Sequence, residues 1–305
     1  MNKDALNEPQ YDWGGEWTIR KLDAFEKYVK SYLTIMNKYR DKYDWQLIYF
    51  DGFAGSGCRN ELEKQSEVSR YKDLFEEVIT KDDISYKGSA ERVLSIDTRG
   101  FDFYYFIDID KNSNESLQIK LNSKYQGTSK LVFRGDDANN QIRLLSDSML
   151  KNPRLKALVL LDPFGMQINW QSIESLGRVN GIDLWILIPT GVIVNRLLER
   201  DGSLSHIEKL KLFFGLDENT IRDYFYETLT DLSLFEGKID VIKKKSKPIH
   251  RIAELYIDRL KTLYSHVTSK PLVLANSNNV PIFHFVFASN NETAAKIAQQ
   301  IIVKI

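Results

Sequence analysis

The stretch Gln46-Leu47-Ile48-Tyr49-Phe50-Asp51-Gly52-Phe53-Ala54-Gly55-Ser56-Gly57 sets a short apolar run directly against an aspartate and a glycine-rich turn. A run of this kind, without polar alternation and closed by turn residues, reads as a strand buried on both faces, the habit of a parallel sheet. Three later stretches repeat the arrangement. Phe103 to Ile107 precedes Asp108-Ile109-Asp110, and Leu131 to Phe133 precedes Gly135-Asp136-Asp137-Ala138-Asn139. Ala157 to Leu161 precedes Asp162-Pro163-Phe164-Gly165. A fifth strand, Leu184 to Ile188, ends at Pro189.

Helical segments fill the intervals. Leu22, Phe25, Val29, Tyr32, Leu33 and Met36 recur at steps of three or four, which predicts a helix from Trp17 to about Lys38 ahead of the first strand. Residues 59–87 are charged and lack sustained periodicity, so they read as an insertion that delays the first crossover helix to near Ser89. Asn112–Leu121 and Asn140–Leu150 supply the next two helices. Strand signals vanish across 200–269, where a helical insertion or lid is expected. Pro271–Ala275 and Ile282–Ala288 then stand too close for a crossover helix, so they predict an antiparallel hairpin, followed by a closing helix Glu292–Ile302. Regular alternation implies right-handed crossovers and one α/β domain over 1–305, with a mainly parallel seven-stranded sheet ending in an antiparallel hairpin.

Bulk composition limits the partners. With 42 basic and 42 acidic side chains the formal charge is zero, so any nucleic-acid contact must come from a local patch. The single cysteine, Cys58, excludes an internal disulfide, and the four histidines show no ligand spacing, so no metal site is expected. The first residues lack a signal-peptide core, and no window approaches the roughly 18 apolar residues of a membrane span. A cytoplasmic protein with no membrane partner is the expectation.

In a doubly wound sheet the ligand lies beyond the carboxyl ends of the strands, where strand order reverses. The loop Asp51 to Gly57 has neither the lysine of a P-loop nor the full Gly-x-Gly-x-x-Gly spacing, which argues against ATP and NAD. Carboxylates at the strand ends suit a ligand bearing cations and a ribose diol, as S-adenosylmethionine does. On that expectation Asp51 faces the methionine ammonium, and Phe53, Gly55 and Gly57 form the loop that lets the backbone approach. Asp108 accepts the ribose hydroxyls, and Asp137 contacts the adenine amine with Asp136 as its competitor. Asp110 reads as a helix N-cap. An ordinary tight turn would also produce the glycine loop.

Asp162 closes an apolar run at an exposed strand end. Pro163 removes a donor, leaving carbonyl acceptors, and Phe164 adds a flat ring. Acceptors beside a ring suit an exocyclic amino group on a planar base, which assigns Asp162, Pro163 and Phe164 to the acceptor in RNA or DNA. The competing view makes Asp162-Pro163 a cap and Phe164 core.

The order of motifs resembles that of a bacterial family, the three-Cys-motif partner proteins. The likeness runs through Glu16-Trp17-Thr18, Tyr49 to Gly57, Gly88-Ser89-Ala90, Leu161 to Gly165, and Phe283-His284-Phe285-Val286-Phe287-Ala288-Ser289-Asn290. This resemblance implies a Rossmann-like methyltransferase fold and association with a separate protein bearing a three-cysteine motif. More distantly, Asp108-Ile109-Asp110, Asp137-Ala138-Asn139 and Asp162-Pro163-Phe164-Gly165 are similar to motifs of tRNA guanine-N2 dimethyltransferases, in which the Asp-Pro-Phe segment lies at the acceptor-base site. A single proline, where the widespread Asp-Pro-Pro-Tyr form has two, disfavours adenine as acceptor.

Other features are expected to be structural. Trp170, Trp185, Phe213 and Phe214 read as core, and Lys243-Lys244-Lys245 with Lys247 as a solvated loop rather than a phosphate-binding patch. His250 and Arg251 follow that run, Asn195 and Arg196 lie on the helix expected after the fifth strand, and Cys58 is a small loop residue. Two rival functions remain beside the methyltransferase: a non-catalytic module that regulates a partner, and, last, a nuclease.

Overall fold

The computed structural model describes residues 16–57, 88–125, 130–163, 165–233, 237–276 and 278–305. The charged insertion expected at 59–87, Cys58 and Phe164 lie outside the described residues. In chain order the elements begin α1 Glu16–Tyr43, β1 Gln46–Asp51, α2 Ser89–Leu94, β2 Phe103–Asp108, α3 Lys111–Lys124 and β3 Lys130–Gly135. They continue α4 Ala138–Lys151, β4 Leu155–Leu161, α5 Trp170–Gly177 and β5 Ile182–Ile188. A π-turn, Thr190–Val194, leads to the single-turn α6 Asn195–Leu197, then α7 Ile207–Phe214 and α8 Glu218–Phe225. Last come β6 Tyr226–Ser233, β7 Gly237–Lys244, α9 Pro248–Lys261, β8 His266–Val267, β9 Leu272–Ala275, β10 Pro281–Ser289 and α10 Glu292–Val303.

The main sheet runs β3-β2-β1-β4-β5-β10, with β8 and β9 both paired to the outer edge of β10. Strands β1 to β5 are parallel, and β10 is antiparallel to β5 and β9. This is a Rossmann-like doubly wound α/β fold. The count is eight strands, one more than expected, because the two-residue β8 shares the edge position with β9. Strand order reverses between β1 and β4, so right-handed crossovers place α2 and α3 on one face and α4 and α5 on the other.

Burial follows the apolar runs. Every residue of β5 is buried, as are Ala157 to Leu161 in β4. From α1, Phe25 and Tyr28 pack edge-on to Trp185, and Tyr32 stacks on Phe101, so the helical stripe of the sequence is the one that meets the sheet. Trp170, Phe213 and Phe214 are buried as well, with Trp170 edge-on to Tyr256. Gly215 ends α7 with φ +63°, and a Cβ there would stand 2.1 Å from Cδ1 of the buried Trp170. Gly215→Ala therefore combines left-handed strain with overpacking, and denaturant unfolding should show a loss of about 2–5 kcal/mol.

The 200–269 region corrects the expectation of a purely helical insertion. It contains the hairpin β6–β7, a separate two-stranded antiparallel sheet running from Tyr226↔Lys244 to Ser233↔Gly237. Its strands expose Leu229, Val241 and Ile242 beside Thr230, Asp240 and Lys243, so the apolar alternation that marks a half-buried strand is diluted. Among the described residues no helix is long and apolar enough to cross a membrane.

Candidate functional site

The carboxyl ends of β1, β2, β3 and β4 bring the sequence-predicted aspartates to one edge of the sheet. After Asp51, the chain turns twice through left-handed glycines, Gly55 at φ +59° and Gly57 at φ +67°. Their surroundings differ. A Cβ on Gly57 would come within 2.6 Å of Leu117 in α3, whereas a Cβ on Gly55 would meet no described residue within 4 Å. Gly57 thus seats the loop on a helix, and Gly55 is uncrowded by any described residue.

Asp51 is fully buried beneath this loop. Its Oδ2 accepts hydrogen bonds from the hydroxyls of Tyr49 at 2.9 Å and Ser89 at 2.6 Å, and its Oδ1 accepts one from the Phe53 amide at 3.2 Å. Burial pushes the carboxyl up from its usual 3.8 to about 6, against the pull of those three donors, with a further upward push from Asp162. The Asp108 side chain closes the loop from the next strand. Its Oδ2 accepts from the Gly55 amide at 3.0 Å and its Oδ1 from the Asp110 amide at 2.8 Å. The Ala54 amide adds a 2.9 Å bond to the Ile107 carbonyl.

At the third strand both aspartates make turn contacts. Asp137 is the N-cap of α4, its Oδ1 accepting the Asn139 amide at 2.8 Å. Asp136 accepts from Gln141 at 2.7 Å and from the Asp137 amide at 2.8 Å, and these donors hold its carboxyl below the usual range. Asp110 caps α3 through the Asn112 amide, as its position after β2 predicts.

Asn139, quoted in the third motif without a role, ties this turn to the segment after Asp162. Its Nδ2 donates to Asp137 Oδ1 and the Gln167 carbonyl, and its Oδ1 accepts from the Asn169 amide and the Ser172 hydroxyl, all within 2.9 Å. Asn139→Ala strands these partners, Ser172 buried and the others partly so, and a stability loss of about 2 kcal/mol should appear in urea titration.

Asp162 at the end of β4 pairs with Lys21 of α1. Lys21 is only 5% exposed, and its ammonium also lies 5.5 Å from the Trp17 ring, which packs against Phe283 at 5.1 Å. The sequence does carry a signal for Lys21: it stands in phase with Phe25, Tyr28 and Tyr32 on the buried stripe, where a charge is out of place. Pro163 is buried. Ser89, read in sequence only as the start of the crossover helix and part of Gly88-Ser89-Ala90, is drawn in by Asp51.

Beyond β5, Thr190 Oγ1 and His284 Nδ1, both buried, share a 2.8 Å hydrogen bond. Burial, with His250 nearby, pushes His284 down to about 4, so it is neutral near pH 7. The lysine run is not the expected solvated loop. Lys243 and Lys244 belong to β7, and the Lys244 ammonium donates to the Asn195 carbonyl, Asn195 Oδ1 and the Leu198 carbonyl at 2.6–2.8 Å. Burial lowers Lys244 to about 8, with Arg200 pushing the same way. It caps the broken turn after β5, and Asn195 is engaged in that cap.

Other buried charges sit at the opposite, amino edge of the sheet. Arg40 of α1 bonds Asp102 at 2.5 Å and the Gly100 carbonyl at 2.8 Å, and Asp102 in turn accepts from the Leu47 amide at 2.7 Å. Asp183 accepts from Tyr28 at 2.7 Å and Ser289 at 2.6 Å. Among the described residues no group of three or more His, Cys, Asp or Glu side chains is arranged to hold a metal ion.

No protein-family model matches the chain, and no curated protein gives a significant match. Among solved structures the chain is similar to protein LPL1258 from Legionella pneumophila strain Philadelphia 1, assigned to the family DUF519. The identity is 11% and the TM-score 0.44, over 92% of this chain and 90% of that one.

Proposed function

We propose that this chain is an S-adenosylmethionine-dependent methyltransferase acting on the exocyclic amine of a nucleobase in RNA or DNA. One arrangement carries the reading: Asp51, Asp108 and Asp162 end neighbouring parallel strands on both sides of the switch point, around a left-handed glycine loop in which no described residue crowds Gly55. The donor set fits the cofactor. Carboxylates dominate the edge, which favours a cationic, hydroxyl-bearing ligand over a phosphate. Gly55 and Asp108 would hold it, with Asp51 supporting the loop from below and contributing negative charge. When bound, the cofactor supplies an electrophilic methyl group on a sulfonium.

The protein's own residues then position the acceptor. Asp162 offers a carboxylate oxygen to an amine N–H, and alignment of this kind can supply about 7–11 kcal/mol of a transfer barrier. No strong base is needed, since the amine proton is lost after attack. Titration calorimetry with S-adenosylmethionine tests the reading. Saturable binding by the parent and at least about tenfold weaker binding by Asp108→Ala are expected, from loss of charged hydrogen bonds. A folded parent that gives no heat with the cofactor overturns it.

A further inference from the structure

The Lys21–Asp162 pair adds a selectivity to this site, and the argument rests on the methyltransferase reading. We infer that Lys21 restricts the acceptor to an uncharged aromatic amine, by locking one oxygen of Asp162 and cancelling its charge while leaving the other oxygen to the substrate.

Lys21 belongs to a helical stripe otherwise given to core packing, and a buried ammonium there is costly unless it is compensated. Asp162 Oδ2 compensates it. Oδ1 has no partner among the described residues, and the Asp162 side chain keeps 22% of its exposure. One oxygen is thus held and the other presented. A neutral amine on a planar base can donate a single N–H to Oδ1. An alkylammonium would instead bring a second full positive charge beside Lys21, and like charges at such close range repel. The indole of Trp17, half-buried, lies under the ammonium at 5.5 Å and packs against Phe283, which fixes the Lys21 head group beside Asp162. Asp51 is close enough to feel the Asp162 charge, so the corner holds two carboxyl groups against one ammonium. Without Lys21 it would attract cations without distinction.

Two cofactor analogues read this charge balance without any acceptor. S-adenosylhomocysteine has no group at the transfer position, whereas sinefungin carries an ammonium there. Calorimetry should give the Lys21→Met variant a preference for sinefungin over S-adenosylhomocysteine at least about tenfold greater than the parent's, with S-adenosylhomocysteine affinity itself unchanged. Lys21→Gln should do the same should the methionine variant fold poorly. Lys21→Arg should keep the parent's ratio, and adding Asp162→Asn to Lys21→Met should erase the gain. An unchanged ratio in folded Lys21→Met and Lys21→Gln overturns the inference while leaving the methyltransferase reading intact. Failure of the parent to bind either analogue overturns both.

Discussion

Asp162→Ala should destabilise the protein by about 3–5 kcal/mol, because it strands the ammonium of Lys21 in a site with only 5% exposure. The expected size comes from the asymmetry of buried ion pairs: removing one member leaves an uncompensated charge, whereas replacing both with apolar groups can be close to neutral. Asp162→Ala, Lys21→Met and the double variant therefore form an informative set in urea. The double variant should recover most of the loss seen in Asp162→Ala. If Asp162→Ala is as stable as the parent, the pair is not the buried contact described above.

Asp51 should impose a pH dependence of opposite sign to that of an ordinary salt-bridged aspartate. Its folded value, about 6, lies above the 3.8 of an unperturbed side chain, so the folded protein binds more protons between them. The stability this contributes is complete below 3.8 and is lost as pH rises through 6. A displacement of about two units corresponds to about 3 kcal/mol. Comparing the parent with Asp51→Asn isolates the group: the parent should lose about 3 kcal/mol relative to the variant between acidic and neutral pH. A difference that stays flat across that interval would rule the assignment out. The same linkage acts on ligands. A cationic molecule at the loop favours ionised Asp51, so its stabilising effect should grow as pH passes 6.

The parallel strands were legible because each is a compact apolar run that stops at an acidic, glycine-rich or proline turn; the central β1, β4 and β5 are the most fully buried, whereas the edge strand β3 buries only Val132. Asp110 as a cap was legible for the same local reason. The partners were not. Lys21 meets Asp162 across 141 positions, and only its misplacement on an apolar stripe hinted at a task. Tyr49 shares a strand face with Asp51 at a spacing of two, but Ser89 reaches Asp51 and Asn139 bridges two loops through contacts that no spacing rule encodes. The β6–β7 hairpin escaped because a two-stranded ribbon exposed to solvent needs no clean alternation. Asp51 shows the limit most clearly. Its place at the end of β1 was evident, but not its complete burial, which makes it a support for the loop before it is anything else.

Helix α1 carries Lys21 near one end and Arg40 near the other, about 28 Å apart along the axis, with each clamped at a different edge of the sheet. The helix is consequently a gauge of fixed length. Its exposed positions, such as Lys27, Lys30 and Thr34, are free to vary in identity, but the number of residues between the two clamps is not. Deleting one residue would turn one clamp by about 100° and draw it in by about 1.5 Å, so only one of the two pairs could form. Relatives of this protein should therefore drift in the composition of α1 while preserving its count.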